Sequence, residues 1–175
     1  LEESSIKKIK ILRGLILSSI CFESKIYGLN NYIKILEKEL KINFNIDGLH
    51  ESKSPSTHLE ILGDLVTIRE AIVSKQIKTP LFLDALIKKA AHALKFFRTP
   101  AGNLAIFNGS KQESKFLIDK ILNQADGKAR GRGPISLSKS GYEKIVCQGI
   151  TVFVDTHFNS KKKSSKAPHA IEINI

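Results

Sequence analysis

Up to residue 125 the apolar residues of this chain recur every three to four positions; beyond residue 141 they alternate every second one. That change of period restricts the fold more than any composition could, because one spacing builds helices with a buried stripe and the other builds half-buried strands. In "KKIKILRGLILSSICF" (7–22), Ile9, Leu12, Ile16 and Ile20 share one helical face. The stretch also has the basic-then-apolar order of an export signal, but Arg13 breaks the apolar run and the spacing favours an amphipathic helix. In "YGLNNYIKILEKELKINF" (27–44), Leu29, Ile33, Leu36 and Leu40 form the next stripe. Thr57 is placed to cap "HLEILGDLVTIREAIVSK" (58–75), with Glu60 at the capping-box spacing. Thr79-Pro80 opens "LFLDALIKKAAHALKFF" (81–97), with Pro expected at the first helical position. The turn "RTPAGNLAIFNGS" (98–110) then leads into a helix over 111–124. Antiparallel helical hairpins joined by short polar turns follow from this pattern, without a strict sequence repeat.

The stretch "ADGKARGRGPISLSKSG" (125–141) changes character, being rich in Gly, Ser and cations, and reads as a solvated linker. It has no aromatic residue on which a base could stack, which weakens a nucleic-acid reading of its two Arg-Gly steps. "YEKIVCQGITVFVDTHF" (142–158) reads as two strands around a Gly149 turn, and "HAIEINI" alternates as a third. Three strands neither close a sheet nor cover both of its faces, so the β part reads as unfinished and open to self-association. The expected organisation is helical over 1–125, a linker over 126–141 and the start of a β domain over 142–175.

Charge narrows the partners. The chain carries 28 Lys and Arg against 17 Asp and Glu, a net +11, and such a field favours polyanions such as nucleic acid or an acidic polysaccharide. No run approaches the ~20 apolar residues that a membrane span needs. Cys21 and Cys147 stand alone and match neither a disulfide framework nor a metal spacing. No residue is Met, so Leu1 reads as something other than a translation start and the sequence as a piece or a processed product.

The densest chemistry lies in "NFNIDGLHESKSPSTHLEILGDL" (43–65), which holds an Asp-Gly turn and two histidines. His50 and His58 lie eight residues apart across a loop, which is not the helical spacing of a metal pair. "RGRG" lacks the Lys-Ser/Thr ending of a phosphate loop, and no nucleophile elbow occurs. Neither a metal nor a cofactor is expected.

The order of segments adds more. "DGLHESKSPSTHLEILGDLVTIREAI", "LFLDALIKKAAHALKFFRTPAGNLAIFNGS", "SGYEKI" with "GITVFVDT", and then "HAIEINI" resembles the heparinase II/III-like family of bacterial polysaccharide lyases, in its α-proteobacterial form, over about residues 10 to 175. The fold this resemblance implies is mainly α: a partial (α/α) toroid of antiparallel hairpins followed by the first strands of an antiparallel β-sandwich. The activity it implies is β-elimination at a uronic acid. A base removes the proton alpha to the carboxylate, a second group holds the developing charge, and an acid protonates the leaving oxygen.

Carried over residue by residue, the resemblance places His50 in the toroid loop near the substrate carboxylate. Asn108 falls on a second loop facing the same cleft, and His169 near the histidine of the domain interface; these three are the candidate catalytic residues. Glu51, Lys53 and Arg98 are the candidate substrate contacts, an acidic glycan is the implied partner, and periplasm and cytoplasm both remain open. The family's toroid tyrosine has no counterpart between His50 and Gly141, and Tyr142 is expected to pack in the first strand. The expectation is therefore a lyase-type protein that is inactive as this chain. Its alternative is a basic helical binding module for nucleic acid or another polyanion, with 125–141 and 159–166 as contact segments.

Overall fold

A computed structural model describes residues 2–22, 28–129, 131–156 and 171–174. Among the described residues five helices come first: α1 (Glu2–Cys21), α2 (Leu29–Asn43), α3 (Pro55–Ser74), α4 (Leu81–Phe96) and α5 (Lys115–Asp126). Four strands follow: β1 (Ser136–Leu137), β2 (Tyr142–Cys147), β3 (Ile150–Asp155) and β4 (Ile171–Asn174). They form one antiparallel sheet in sequence order. α1 packs on α2 and α3, and α3 packs in turn on α4 and α5. The stripe read from the first segment is the buried one: Ile9, Leu12, Ile16 and Ile20 all lie in the core. α3 differs in burying residues on more than one face, because it packs against α1, α4 and α5.

Helix starts depart from the sequence reading in instructive ways. α3 is N-capped at Ser54, with Pro55 rather than Thr57 opening it, since proline's fixed φ suits the first turn and its missing N–H costs nothing there. The cap comes from a distant loop: the Ser56 N–H donates to Ser110 Oγ (3.0 Å), and the Lys111 N–H donates back to Ser56 Oγ (3.1 Å). Pro80 stands at the N-cap of α4 rather than inside it, and α5 begins at Lys115, later than its periodicity predicted. α5 ends where Gly127 takes a left-handed φ of 71°, and the Arg69 guanidinium of α3 donates to the Gln124 and Ala125 carbonyls that the helix end leaves open.

The stretch expected as a linker contributes β1, whose Ser136 and Leu137 pair with Glu143 and Tyr142. The β2–β3 hairpin turns at Gln148-Gly149, both at positive φ (45° and 87°), as a two-residue hairpin turn compatible with strand twist requires. One face of the sheet carries Tyr142, Phe153 and Asp155 against the helices, all three buried. With Phe96, Phe97 and Phe107 the first two complete a ring cluster whose centroids lie 5.0 to 6.2 Å apart. Edge and tilted contacts of this kind contribute beyond their buried area, and here they weld the sheet to the end of α4. The other face presents Ile145, Ile171 and Ile173 at 59%, 63% and 62% exposure.

Lys144 crosses the same junction. Its Nζ donates to the Phe96 carbonyl (2.7 Å), the last residue of α4, and lies 5.0 Å from the Phe96 ring centroid and 5.5 Å from that of Phe153. Burial lowers its pKa to about 8. Between that value and the ordinary lysine value of 10.5 the unfolded chain binds the extra proton. Stability is therefore expected to rise as pH increases from about 8 to 10.5, and Lys144→Met to flatten that rise in urea melts. An unchanged slope in the variant would remove Lys144 as its source.

Candidate functional site

The loop between α2 and α3, residues 44–54, is built by local turns and then used as a platform. Asn45 Oδ1 accepts the Leu49 N–H (3.1 Å), and Gly48 turns at φ 82°. A Cβ at Gly48 would stand 2.7 Å from the Lys89 backbone carbonyl carbon, so only glycine lets the loop lie this close to α4. Three of the loop's side chains converge on Ser140, in the turn before β2. Asp47 Oδ2 accepts both the Ser140 N–H (2.8 Å) and its hydroxyl (2.9 Å). Asn45 Nδ2 donates to Ser140 Oγ (2.8 Å), and Lys53 Nζ donates to the Ser140 carbonyl (2.8 Å). The platform thus grips the first turn of the sheet.

Beside that grip sits a second polar group. Asn108, at φ 49° in its Asn-Gly turn, donates from Nδ2 to the Tyr142 hydroxyl (2.6 Å) and to the Lys53 carbonyl (3.2 Å). The single phenolic proton of Tyr142 is shared between two acceptors, the Lys53 carbonyl (3.3 Å) and the Asp155 carboxylate. Burial, reinforced by the Asp155 charge, pushes the phenol well above the ordinary tyrosine range. Burial pulls Lys53 below the ordinary lysine range, and Asp155 partly offsets it. A phenol so held stays protonated at neutral pH and fully buried.

The expected site residues therefore separate. Lys53 and Asn108 are brought together at this seam, joined by Tyr142 and Asp155, which the sequence had not assigned to any site. His50 is fully buried one layer behind: its Nδ1 accepts the Ser52 N–H (3.2 Å) and lies 3.0 Å from Ser52 Oγ, while its ring stands edge-on to Phe44 at 5.4 Å. Glu51 is exposed and accepts from the Ser5 hydroxyl of α1 (3.2 Å). Arg98 is committed to structure, donating to the Ala129 carbonyl and to Asp119 of α5. His169 lies outside the described residues, as do 159–166. Among the described residues no group of three or more His, Cys, Asp or Glu is placed to hold a metal ion.

A groove of about 670 Å³ runs between α3 and α5. None of His50, Glu51, Lys53, Arg98 or Asn108 lines it; Ser56, Thr57 and Gly109 bring it to the edge of the seam. Its walls carry Glu60, Asp64, Glu70 and Glu113 against Lys111 and Lys120. Lys10 pairs with Glu60 (2.6 Å) and Arg13 with Asp64 (3.1 Å), which brings the groove near neutrality rather than to the cationic lining that a uronate polymer calls for.

With this geometry in hand, comparison with known proteins separates fold from function. No protein-family model matches the chain. It is 31% identical over 126 residues, 70% of its own length, to FtsZ-localized protein C of Caulobacter vibrioides, but spans only 21% of that protein. Among solved structures, the crystal structure of heparinase III superposes with a TM-score of 0.68 at 18% identity, covering 85% of this chain and 28% of that one. No helix among the described residues is long and apolar enough to cross a membrane. The helical hairpins followed by an antiparallel sheet are a heparinase-like fold, the helical-toroid-plus-sheet class that the order of the segments implied.

Proposed function

We propose that this chain is a non-catalytic, heparinase-fold protein-binding module that associates with FtsZ. The observation that carries the reading is the state of the seam. An elimination base has to reach the proton alpha to a substrate carboxylate. Here His50 and Tyr142 are fully buried, and Tyr142, Asn108 and Lys53 bond to one another, holding the sheet against the helices. In this reading the loop at residues 44–54 is a joint, and His50 is a part of it rather than a reactive group. The likeness to FtsZ-localized protein C supports FtsZ as the partner, and the near-neutral groove gives a polyanionic glycan little to hold.

Titrating purified FtsZ from the same organism onto the immobilised chain tests this. The expected result is saturable binding with a Kd of about 1–100 µM, as a modest interface gives, unaffected by added heparin. Absence of saturation throughout that range overturns the reading.

The lyase reading is kept as a second one because the fold favours it. It requires heparin or a related uronate polymer to yield the ultraviolet absorbance of an unsaturated uronate, and that product to disappear in Asn108→Ala.

A further inference from the structure

Beyond a binding role in general, one surface has the shape and charge of a docking site. α2 lies on α1, α4 lies on α3, and α1 lies on α3, so α2 and α4 stand side by side over the inner pair with a furrow of about 290 Å³ between them. Its lining comes at helical spacing from both sides: Glu37, Leu40, Lys41 and Phe44 from one wall, Phe82, Ala85, Leu86 and Lys89 from the other. Leu40 and Phe44 are buried and form the floor, Phe82 and Leu86 are half-buried, and Ala85 is exposed but small. Ile46, 71% exposed, stands at one end.

We propose that the furrow between α2 and α4 receives a short amphipathic helix bearing acidic residues, donated by a protein partner. Two walls with side chains at i, i+3, i+4 and i+7 suit a third helix that inserts apolar anchors at the same spacing. The volume lies at the lower edge of the ~300–1,000 Å³ of small-molecule pockets. No group of polar side chains converges on the furrow's floor, so an isolated small ligand would gain little there. Charge selects the sign of the partner. Glu37 is already taken by Lys41 at 2.7 Å, one turn away on the same helix. Lys89 pairs with no carboxylate among the described residues, and Lys34, Lys38 and Lys88 stand exposed on the same two helices. Acidic residues flanking the apolar anchors would meet these cations at the rim, where they set association rate and orientation more than affinity.

The proposal deepens the protein-binding reading and rests on it. Its probe is a fluorescein-labelled helical peptide of about 18 residues, or five turns, with Leu at i, i+3, i+4 and i+7 and Glu on the opposite face. A second peptide carries Lys in place of each Glu, and a single-stranded oligonucleotide serves as competitor. Fluorescence anisotropy with the full chain is expected to show binding of the acidic peptide alone. Amide shifts are expected to be confined to α2, α4 and the loop that carries Ile46. Ala85→Gln, which fills the furrow from an exposed helix position, and Lys89→Glu are each expected to weaken binding about tenfold, with helical content and melting midpoint unchanged. Equal binding of both peptides, displacement by the oligonucleotide, or shifts elsewhere on the surface overturns the assignment. If the peptide binds as expected but the partner proposed above does not, that reading falls and the furrow stands. If that partner binds and neither Ala85→Gln nor Lys89→Glu changes its affinity or the peptide's, the furrow falls and the reading stands.

Discussion

His58→Ala is expected to destabilise the fold by about 4 kcal/mol, read as a shift in the urea midpoint at pH 7. The His58 imidazole is fully buried and ties three pieces of chain together. Nε2 donates to the Ala90 carbonyl of α4 (2.8 Å), Nδ1 accepts the His50 N–H of the platform loop (3.3 Å), and the ring tilts against Phe44 at 5.9 Å. Alanine leaves a cavity and a buried His50 N–H without its acceptor, while the Ala90 carbonyl keeps only its bond within α4. The same pair of bonds fixes the tautomer, because protonating Nδ1 would turn its acceptor toward another donor. Burial accordingly depresses the His58 pKa to about 4, far below the ordinary 6.5, with the Ala90 carbonyl only partly opposing it.

The sign follows from linkage. Below pH 6.5 the unfolded chain takes up a proton that the folded one refuses until about pH 4. Stability is therefore fully present above 6.5 and falls by about 3 kcal/mol on descending to 4. His58→Asn, whose amide can still donate to one partner and accept from the other, should lose that slope while retaining part of the stability. If wild type and His58→Asn fall in parallel between pH 6.5 and 4.5, His58 is not the titrating group.

Gly133→Ala should be the most damaging change in the stretch between α5 and β2. A Cβ at that position would stand 2.4 Å from both the carbonyl carbon and the oxygen of Lys95, and 2.7 Å from the Phe96 nitrogen. All three are backbone atoms inside the last turn of α4, so no side chain can swing aside and the segment has to lift. Lifting it withdraws β1 from β2, breaks the hydrogen bond from the Lys144 N–H to the Ile135 carbonyl (2.8 Å) and uncovers Leu137. A loss of more than about 2 kcal/mol is expected, concentrated at the junction. By hydrogen exchange, β1 to β3 should lose protection while α1 and α3 keep theirs. Unchanged protection across the sheet would show that the approach of Gly133 to α4 carries no stability.

The two changes mark how far the sequence could be read. Helical periodicity identified five helices and the apolar stripe of α1, since a stripe of four residues has only one way to be buried. The alternation after residue 141 identified the β2–β3 hairpin, and Tyr142 packs in the first long strand as its pattern required. The site was less legible. "DGLH" in the sequence looks like a wall that offers a histidine to a substrate, and its signal was a turn pair next to titratable side chains. Yet Asp47, Asn45 and Lys53 spend their hydrogen bonds on Ser140, 87 to 95 residues away, and no local pattern encodes that pairing. Nor could spacing show that Ser110, rather than a residue of its own turn, would satisfy the start of α3.

What the amino-acid order determined by itself was the kind of element at each place and the face each helix buries, because those follow from period, proline and glycine within a few residues. What only the tertiary structure decided was which polar groups are consumed. For Asn108 and Tyr142 that depends on contacts between segments 34 and 89 residues apart. Burial then lowers the pKa of His58 and raises that of the Tyr142 phenol. The physical reason is that desolvation and hydrogen-bond satisfaction are properties of a contact and not of a residue type, so they come into being only where the chain meets itself.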